Sequence, residues 1–106
     1  MPKYLIQLSY TAEGAKGVLK EGGSHRRAVV EETLQALNAK VEAFYFAMGE
    51  YDVYVIVDAP DNTTMAAVSM AVNATGAGSF RTTVLLTPEE IDAATKKAVD
   101  YRAPGR

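Results

Sequence analysis

Cysteine is absent from the 106-residue sequence, and histidine occurs once, at His25. Without cysteine the chain has no disulfide, thiol nucleophile or thiolate metal ligand, and one histidine excludes a multi-histidine metal site within one subunit. A large excess of one charge is lacking too, since the net charge is −2. Such a charge offers no electrostatic attraction for nucleic acid or an anionic membrane surface. We therefore expect no metal site, no cofactor and no nucleic acid partner.

Long apolar runs are missing as well. Residues Met1 to Tyr4 lead straight into a predicted strand, with no signal peptide and no apolar span of about 18 residues. We expect a cytoplasmic protein without a membrane partner. A chain of 106 residues is long enough for one domain, residues 1–106, with a single core of two layers.

β-Branched and aromatic residues are concentrated in residues 44–57, which have the pattern of the two strands of a β-hairpin. Valines at alternate positions give the second strand one apolar face, and the phenylalanines of the first strand share it. Tyr45 then lies opposite Tyr54 on the other face. Gly49-Glu50 between the strands predicts a two-residue type II′ turn, in which Gly49 has positive φ.

The remaining segments are assigned from periodicity and from residues that begin or end helices. Ser24 can cap a helix that runs to about Asn38, and Asn38 can end it in the left-handed conformation. Thr87-Pro88-Glu89-Glu90 predicts a capping box before the last helix. Residues 15–23 have the composition of a loop or a short helical turn. We predict strands over 3–10, 40–48, 51–58 and 80–86, and helices over 24–38, 62–74 and about 88–99.

This order of elements is β-α-β-β-α-β with an added C-terminal helix, the ferredoxin-like split βαβ arrangement of an α+β protein. Two right-handed crossovers predict an antiparallel sheet of strand order 4-1-3-2, with both main helices on one face. On the fourth strand, Val84 and Leu86 are expected to lie under the helices. The opposite face of the sheet is expected to carry no helix.

Four segments resemble the landmarks of one family. Gly49-Glu50-Tyr51-Asp52 looks like the signature of the GYD-domain family, and Tyr10 to Gly14, Ala59-Pro60-Asp61 and Thr87 to Glu90 resemble its other landmarks. The similarity covers nearly the whole chain. The family consists of small bacterial proteins, largely of unknown function. The resemblance implies a ferredoxin-like fold akin to dimeric α+β barrels, and it carries over no reaction and no catalytic residue.

The helix-free face of the sheet mixes apolar and polar residues, among them Leu5, Gln7, Tyr54 and Ile56. An exposed face of this kind usually binds a partner, so we expect a homo-oligomer. Two such faces packed together would form a barrel with a semi-polar interior, where a small ligand could bind. The alternative is a plain dimer interface that contains ordered water.

One group of residues on this face is a candidate ligand site. The predicted order brings Asp52 and Arg81 beside Ser9, with a Cα separation of about 9–10 Å between Asp52 and Arg81. Tyr45 and Tyr54 lie one step inward from this end of the sheet. These side chains could orient a carboxylate or phenol, or Asp52 could act as a base. The alternative is an ion pair between Asp52 and Arg81 that holds the end of the hairpin.

A second candidate site is His25-Arg26-Arg27, in the first turn of the predicted first helix. Cations oppose the helix dipole there, and an anionic ligand at the helix N-terminus could compensate for them. The alternative is a solvated positive end that Glu31 and Glu21 partly neutralise.

These observations leave three hypotheses for function. The first is a small-molecule-binding module in a homo-oligomeric α+β barrel. The second is a cofactor-independent enzyme that uses Asp52, Tyr45, Tyr54 or His25 for proton transfer, which rests on analogy of fold. The third is a structural or regulatory subunit of an assembly without a ligand.

Overall fold

Four strands and four helices follow one another in the computed structural model, which describes residues 1–106. The α+β class with a four-stranded antiparallel sheet is therefore confirmed. In chain order the elements are β1 Lys3–Tyr10, α1 Ala12–Glu21, α2 Gly23–Gln35, β2 Lys40–Phe46, β3 Val53–Asp58, α3 Asn62–Ala74, β4 Gly78–Leu85 and α4 Pro88–Thr95.

The strands form one sheet in the order β2-β3-β1-β4, so β1 and β3 occupy its centre. Counted from the other edge, the order is 4-1-3-2. Alternate residues of the two central strands point to one face, and this face packs against Leu34 of α2 and Met65 of α3. The fully buried core is apolar throughout: Tyr4, Ile6, Leu34, Ala39, Val53, Val55, Val57, Ala59, Met65 and Val68.

The β2–β3 hairpin has the predicted register, with Tyr45 opposite Tyr54 and Phe46 opposite Val53. Its turn differs from the prediction. The loop covers residues 47–52, and Gly49 is not among the glycines with positive φ, so the predicted type II′ turn is wrong. The backbone N–H of Asp52 donates to the Leu8 carbonyl of β1 at 2.8 Å, which directs the end of the loop toward β1. A wider loop needs no left-handed residue at its tip.

The segment between β1 and α2 is more helical than predicted. Thr11 caps α1, and its hydroxyl accepts the Gly14 N–H at 3.2 Å. Helix α1 ends at Gly22, where φ is 86°, and α2 begins at the next residue, so the prediction that Ser24 caps this helix is wrong. Two glycines within α1 conceal its helical pattern, because glycine has low helix propensity. Asn38 has φ of 59°, which confirms its left-handed conformation after α2.

Helix α3 follows its prediction closely. The Asp61 carboxylate accepts the Thr64 N–H at 2.8 Å, which satisfies one of the unpaired donors of the first turn. Met65 is buried against the sheet, and the Ser69 hydroxyl bonds Thr82 of β4 at 2.8 Å. This helix therefore anchors β4 to the core.

Helix α4 has the predicted capping box between Thr87 and Glu90, but none of its residues is buried. Val84 and Leu86, which we expected under the helices, are 50% and 59% exposed. The radius of gyration is 17.0 Å, against the value of about 13 Å that a compact chain of about 100 residues has. The C-terminal segment therefore extends away from the sheet and does not cover it.

Candidate functional site

Three of the predicted site residues and Gln7 form a row across the helix-free face. Gln7 pairs with Tyr54 on one side and with Arg81 on the other, and Tyr54 pairs in turn with Tyr45. Tyr45 is 70% exposed, and the Tyr54 ring meets the Tyr51 ring edge-on, with centroids 6.1 Å apart. The structure thus brings together Tyr45, Tyr54 and Arg81, with Gln7 between the tyrosines and the arginine.

Ser9 lies on the same face, two residues further along β1, opposite Ser79. Its hydroxyl donates to the carbonyl of Glu50 in the hairpin loop at 3.3 Å. Ser9 is therefore at the end of the sheet where the loop begins, beyond the row that contains Arg81.

The side chain of Asp52 is bonded to the backbone of β1. Its carboxylate accepts the backbone N–H of Tyr10 at 2.8 Å, so the side chain replaces a missing carbonyl at the end of the β1–β3 pairing. Asp52 also borders a surface groove formed with Phe46 and α1. No ion pair joins it to Arg81, which is exposed, so the ion pair given as the alternative is absent. Arg81 pairs with Gln7 and not with Ser9, and the Asp52 carboxylate bonds the N–H of Tyr10 instead.

The far end of the helix-free face carries an ion cluster that the sequence did not predict. The Lys3 ammonium donates to Asp58 at 2.8 Å and to Glu42 at 3.0 Å. These hydrogen bonds raise the pKa of Lys3 above its ordinary value of 10.5. The cluster joins three strands and has the character of a structural contact.

The three basic residues at the start of α2 have separate partners. Arg26 Nη1 lies 3.4 Å from Glu21, and His25 Nε2 lies 3.7 Å from the same carboxylate oxygen. Arg27 pairs with Glu31 at 3.7 Å on the solvent side. The neutralising contacts expected as the alternative are present, and the three cations do not converge on one point.

Arg26 differs from its two neighbours because it also lines a cavity between the sheet and helices α2 and α3. The cavity has a volume of about 70 Å³, and 11 of its 13 lining residues are hydrophobic. Arg26 falls four residues before Val30 and eight before Leu34, so all three lie on the inner stripe of α2. That spacing was visible in the sequence and could have distinguished Arg26.

Tyr10 also lines this cavity and contributes a phenol group. The sequence alone did not single it out. Burial raises the pKa of its phenol above the ordinary value of 10.0, and the nearby positive charge of Arg26 opposes this rise. The third polar side chain, Thr33, donates its hydroxyl to the Val29 carbonyl at 2.9 Å. The cavity therefore has apolar walls and one polar side, formed by Arg26 and Tyr10.

The structure contains no cluster of three or more histidine or acidic side chains placed to hold a metal ion. None of the helices combines the length and the apolar character that crossing a membrane requires.

The fold and these surfaces define a small α+β protein built on a four-stranded antiparallel sheet. Residues 4–95 match the model of the GYD domain, so the chain belongs to the GYD domain family, as its turn sequence had indicated. No curated protein and no solved structure matches the chain.

Proposed function

We propose that this GYD-domain protein is a small-molecule-binding module that acts as a homo-oligomer. In this proposal the chain is one bacterial, cytoplasmic domain, residues 1–106, with a ferredoxin-like fold that associates as a dimeric α+β barrel.

The cavity between the sheet and helices α2 and α3 is the observation that carries the proposal. Protein interiors are close-packed, and empty space in a core costs stability. Here a space of about 70 Å³ remains among apolar side chains and has an arginine on one side. Ligand sites combine apolar walls with a few polar groups in this way.

We expect purified protein to bind small apolar compounds in this cavity, because its walls are otherwise incompletely packed. Val30→Phe should fill the space and abolish the rise in Tm that such compounds cause in a thermal-shift screen. Val29→Phe is the matched control, since Val29 is the adjacent residue of α2 and does not line the cavity. Equal responses from the two variants would argue that the compounds bind elsewhere.

Association is supported by the small size of the core. Only 10 of 106 residues are buried, while Leu5 and Ile56 on the helix-free face are partly exposed. Packing two such faces together would remove this apolar surface from water and enclose the row of Tyr45, Tyr54 and Arg81.

We expect light scattering at micromolar concentration to show a dimer or a higher oligomer. Ile56→Asp should shift the protein to monomer, because it places an unpaired charge at the centre of the face. Met70→Asp, at an apolar position on α3 that is 73% exposed, should leave the assembly intact. A monomeric wild-type protein would contradict the proposed association.

A further inference from the structure

We propose that the cavity between α2, α3 and the sheet binds a small monocarboxylate, with its short apolar tail among the core side chains and its carboxylate on Arg26. This inference rests on the proposed function and adds to it the chemical class of the ligand and the residue that selects it.

Arg26 is unusual in both its position and its bonding. It lies on the inner stripe of α2, and its side chain is only 33% exposed. The side chain lines the cavity, and its charged group reaches Glu21 at the exposed end of α1. A guanidinium has five N–H donors, and the one carboxylate near Arg26 is 3.4 Å away, longer than the about 2.7–2.9 Å of a strong charge-assisted bond. Arg26 therefore has donor capacity left for a second anion.

Glu21 shows that a carboxylate can reach this guanidinium. Glu21 is the last residue of α1, and its side chain is 38% exposed. The carboxylate oxygen that Arg26 contacts also lies 3.7 Å from His25 Nε2. A ligand carboxylate that enters from the cavity would meet the same guanidinium and compete with Glu21 for its donors. The phenol of Tyr10, on the same side of the cavity, offers the second carboxylate oxygen a donor.

The available charge favours a single negative group. Arg26 is the one cationic residue among those that line the cavity, and Arg27 is held by Glu31 outside it. Thr33 already donates its hydroxyl to a backbone carbonyl. A phosphate or a dicarboxylate would carry charge that these groups leave without a partner, which is costly at a partly buried site.

The size of the cavity limits the tail of the ligand. Its volume of about 70 Å³ is roughly half of the about 150 Å³ of a cavity that holds benzene. By that comparison a tail of about three carbons fits this space, as in butanoate. Longer chains would require α2 to move away from the sheet.

Isothermal titration of the full-length protein with butanoate and with butanamide tests the proposal, because the two probes share a tail and differ in charge. Wild-type protein should bind butanoate at least about tenfold more tightly than butanamide. Arg26→Met should remove this preference and leave butanamide binding little changed. Arg27→Met, the matched loss of a neighbouring cation, should keep the preference.

A further variant keeps the test decisive if Arg26→Met does not fold. Glu21→Gln removes the competing carboxylate from the exposed end of α1 and should strengthen butanoate binding severalfold. Unchanged or weaker binding in Glu21→Gln would contradict the proposed competition for Arg26.

The outcomes separate this inference from the proposed function. If butanamide binds as tightly as butanoate, the cavity is a ligand site but the assignment of a carboxylate is wrong. If Arg27→Met abolishes the preference as fully as Arg26→Met does, attraction by the general surface charge explains the binding and the site is wrong. If neither probe binds and no small apolar compound raises the Tm, both the inference and the proposed function fall.

Discussion

At the scale of single residues, Asp52 joins two distant segments of the chain. Its carboxylate accepts the Tyr10 N–H at 2.8 Å, and its own N–H donates to the Leu8 carbonyl at 2.8 Å. Asp52 thus adds two hydrogen bonds between the hairpin loop and β1 beyond the last regular pair of β1 and β3. The charge of Asp52 is used for fold geometry, which is why it does not meet Arg81.

We expect Asp52→Ala to lower the free energy of unfolding by about 1–2 kcal/mol, because it leaves the partly buried Tyr10 N–H without its acceptor. Asp52→Asn should lose less, since the amide oxygen can accept the same bond. Arg81→Ala should have almost no effect, as Arg81 is exposed and has no ion-pair partner. Urea denaturation measures all three, and a large loss of stability in Arg81→Ala would contradict the conclusion that Arg81 has no ion-pair partner.

At the scale of elements, the helix caps are formed by residues close together in sequence. Asp61 illustrates this, because its carboxylate bonds both the N–H and the hydroxyl of Thr64 at 2.8 Å. These bonds hold the pKa of Asp61 below its ordinary value of 3.8. Since α3 packs Met65 into the core, the state of this cap affects the stability of the whole fold.

The lowered pKa of Asp61 predicts the sign of a pH effect. The stabilising contribution is complete above pH 3.8 and is lost as the pH falls through the lower pKa of the folded state. Asp61→Asn keeps an acceptor that does not titrate. The Tm advantage of wild type over Asp61→Asn should therefore shrink between pH 7 and about pH 2 in thermal melts. A Tm difference that stays constant with pH would mean that the ionised carboxylate of Asp61 does not stabilise the cap.

At the scale of the whole molecule, the C-terminal segment is the feature that departs most from a compact fold. The molecule measures 56 × 33 × 24 Å, and no residue of α4 is buried. A helix of eight residues is too short to be stable alone in water, and α4 has its capping box and no buried side chain to hold it. Ile91 and Tyr101 are exposed at 47% and 72%.

We expect deletion of residues 88–106 to change the Tm of dilute protein by less than about 2 °C, because this segment adds little to the core. Light scattering of the same variant shows whether the segment contributes to assembly. A fall in Tm of more than about 5 °C would contradict the extended position of the segment seen in the structure.

Local chemistry explains what the sequence determined by itself. Asp61, Thr87 and Asn38 act on backbone groups within a few residues, and alternation of apolar residues sets the pairing of Tyr45 with Tyr54 because a slip of one residue would expose the valine face. The family could be recognised from the same short segments.

Only the tertiary structure decided the candidate sites, because they depend on contacts between distant residues. The partner of Asp52 is Tyr10, 42 residues away, and Arg81 lies beside Gln7 because of the register between β1 and β4. The cavity brings Arg26 of α2 together with Tyr10 of β1, and only helix packing against the sheet makes that space. The exposure of Val84 depends likewise on where α4 lies. The capping box determines where α4 begins but does not determine what the helix packs against.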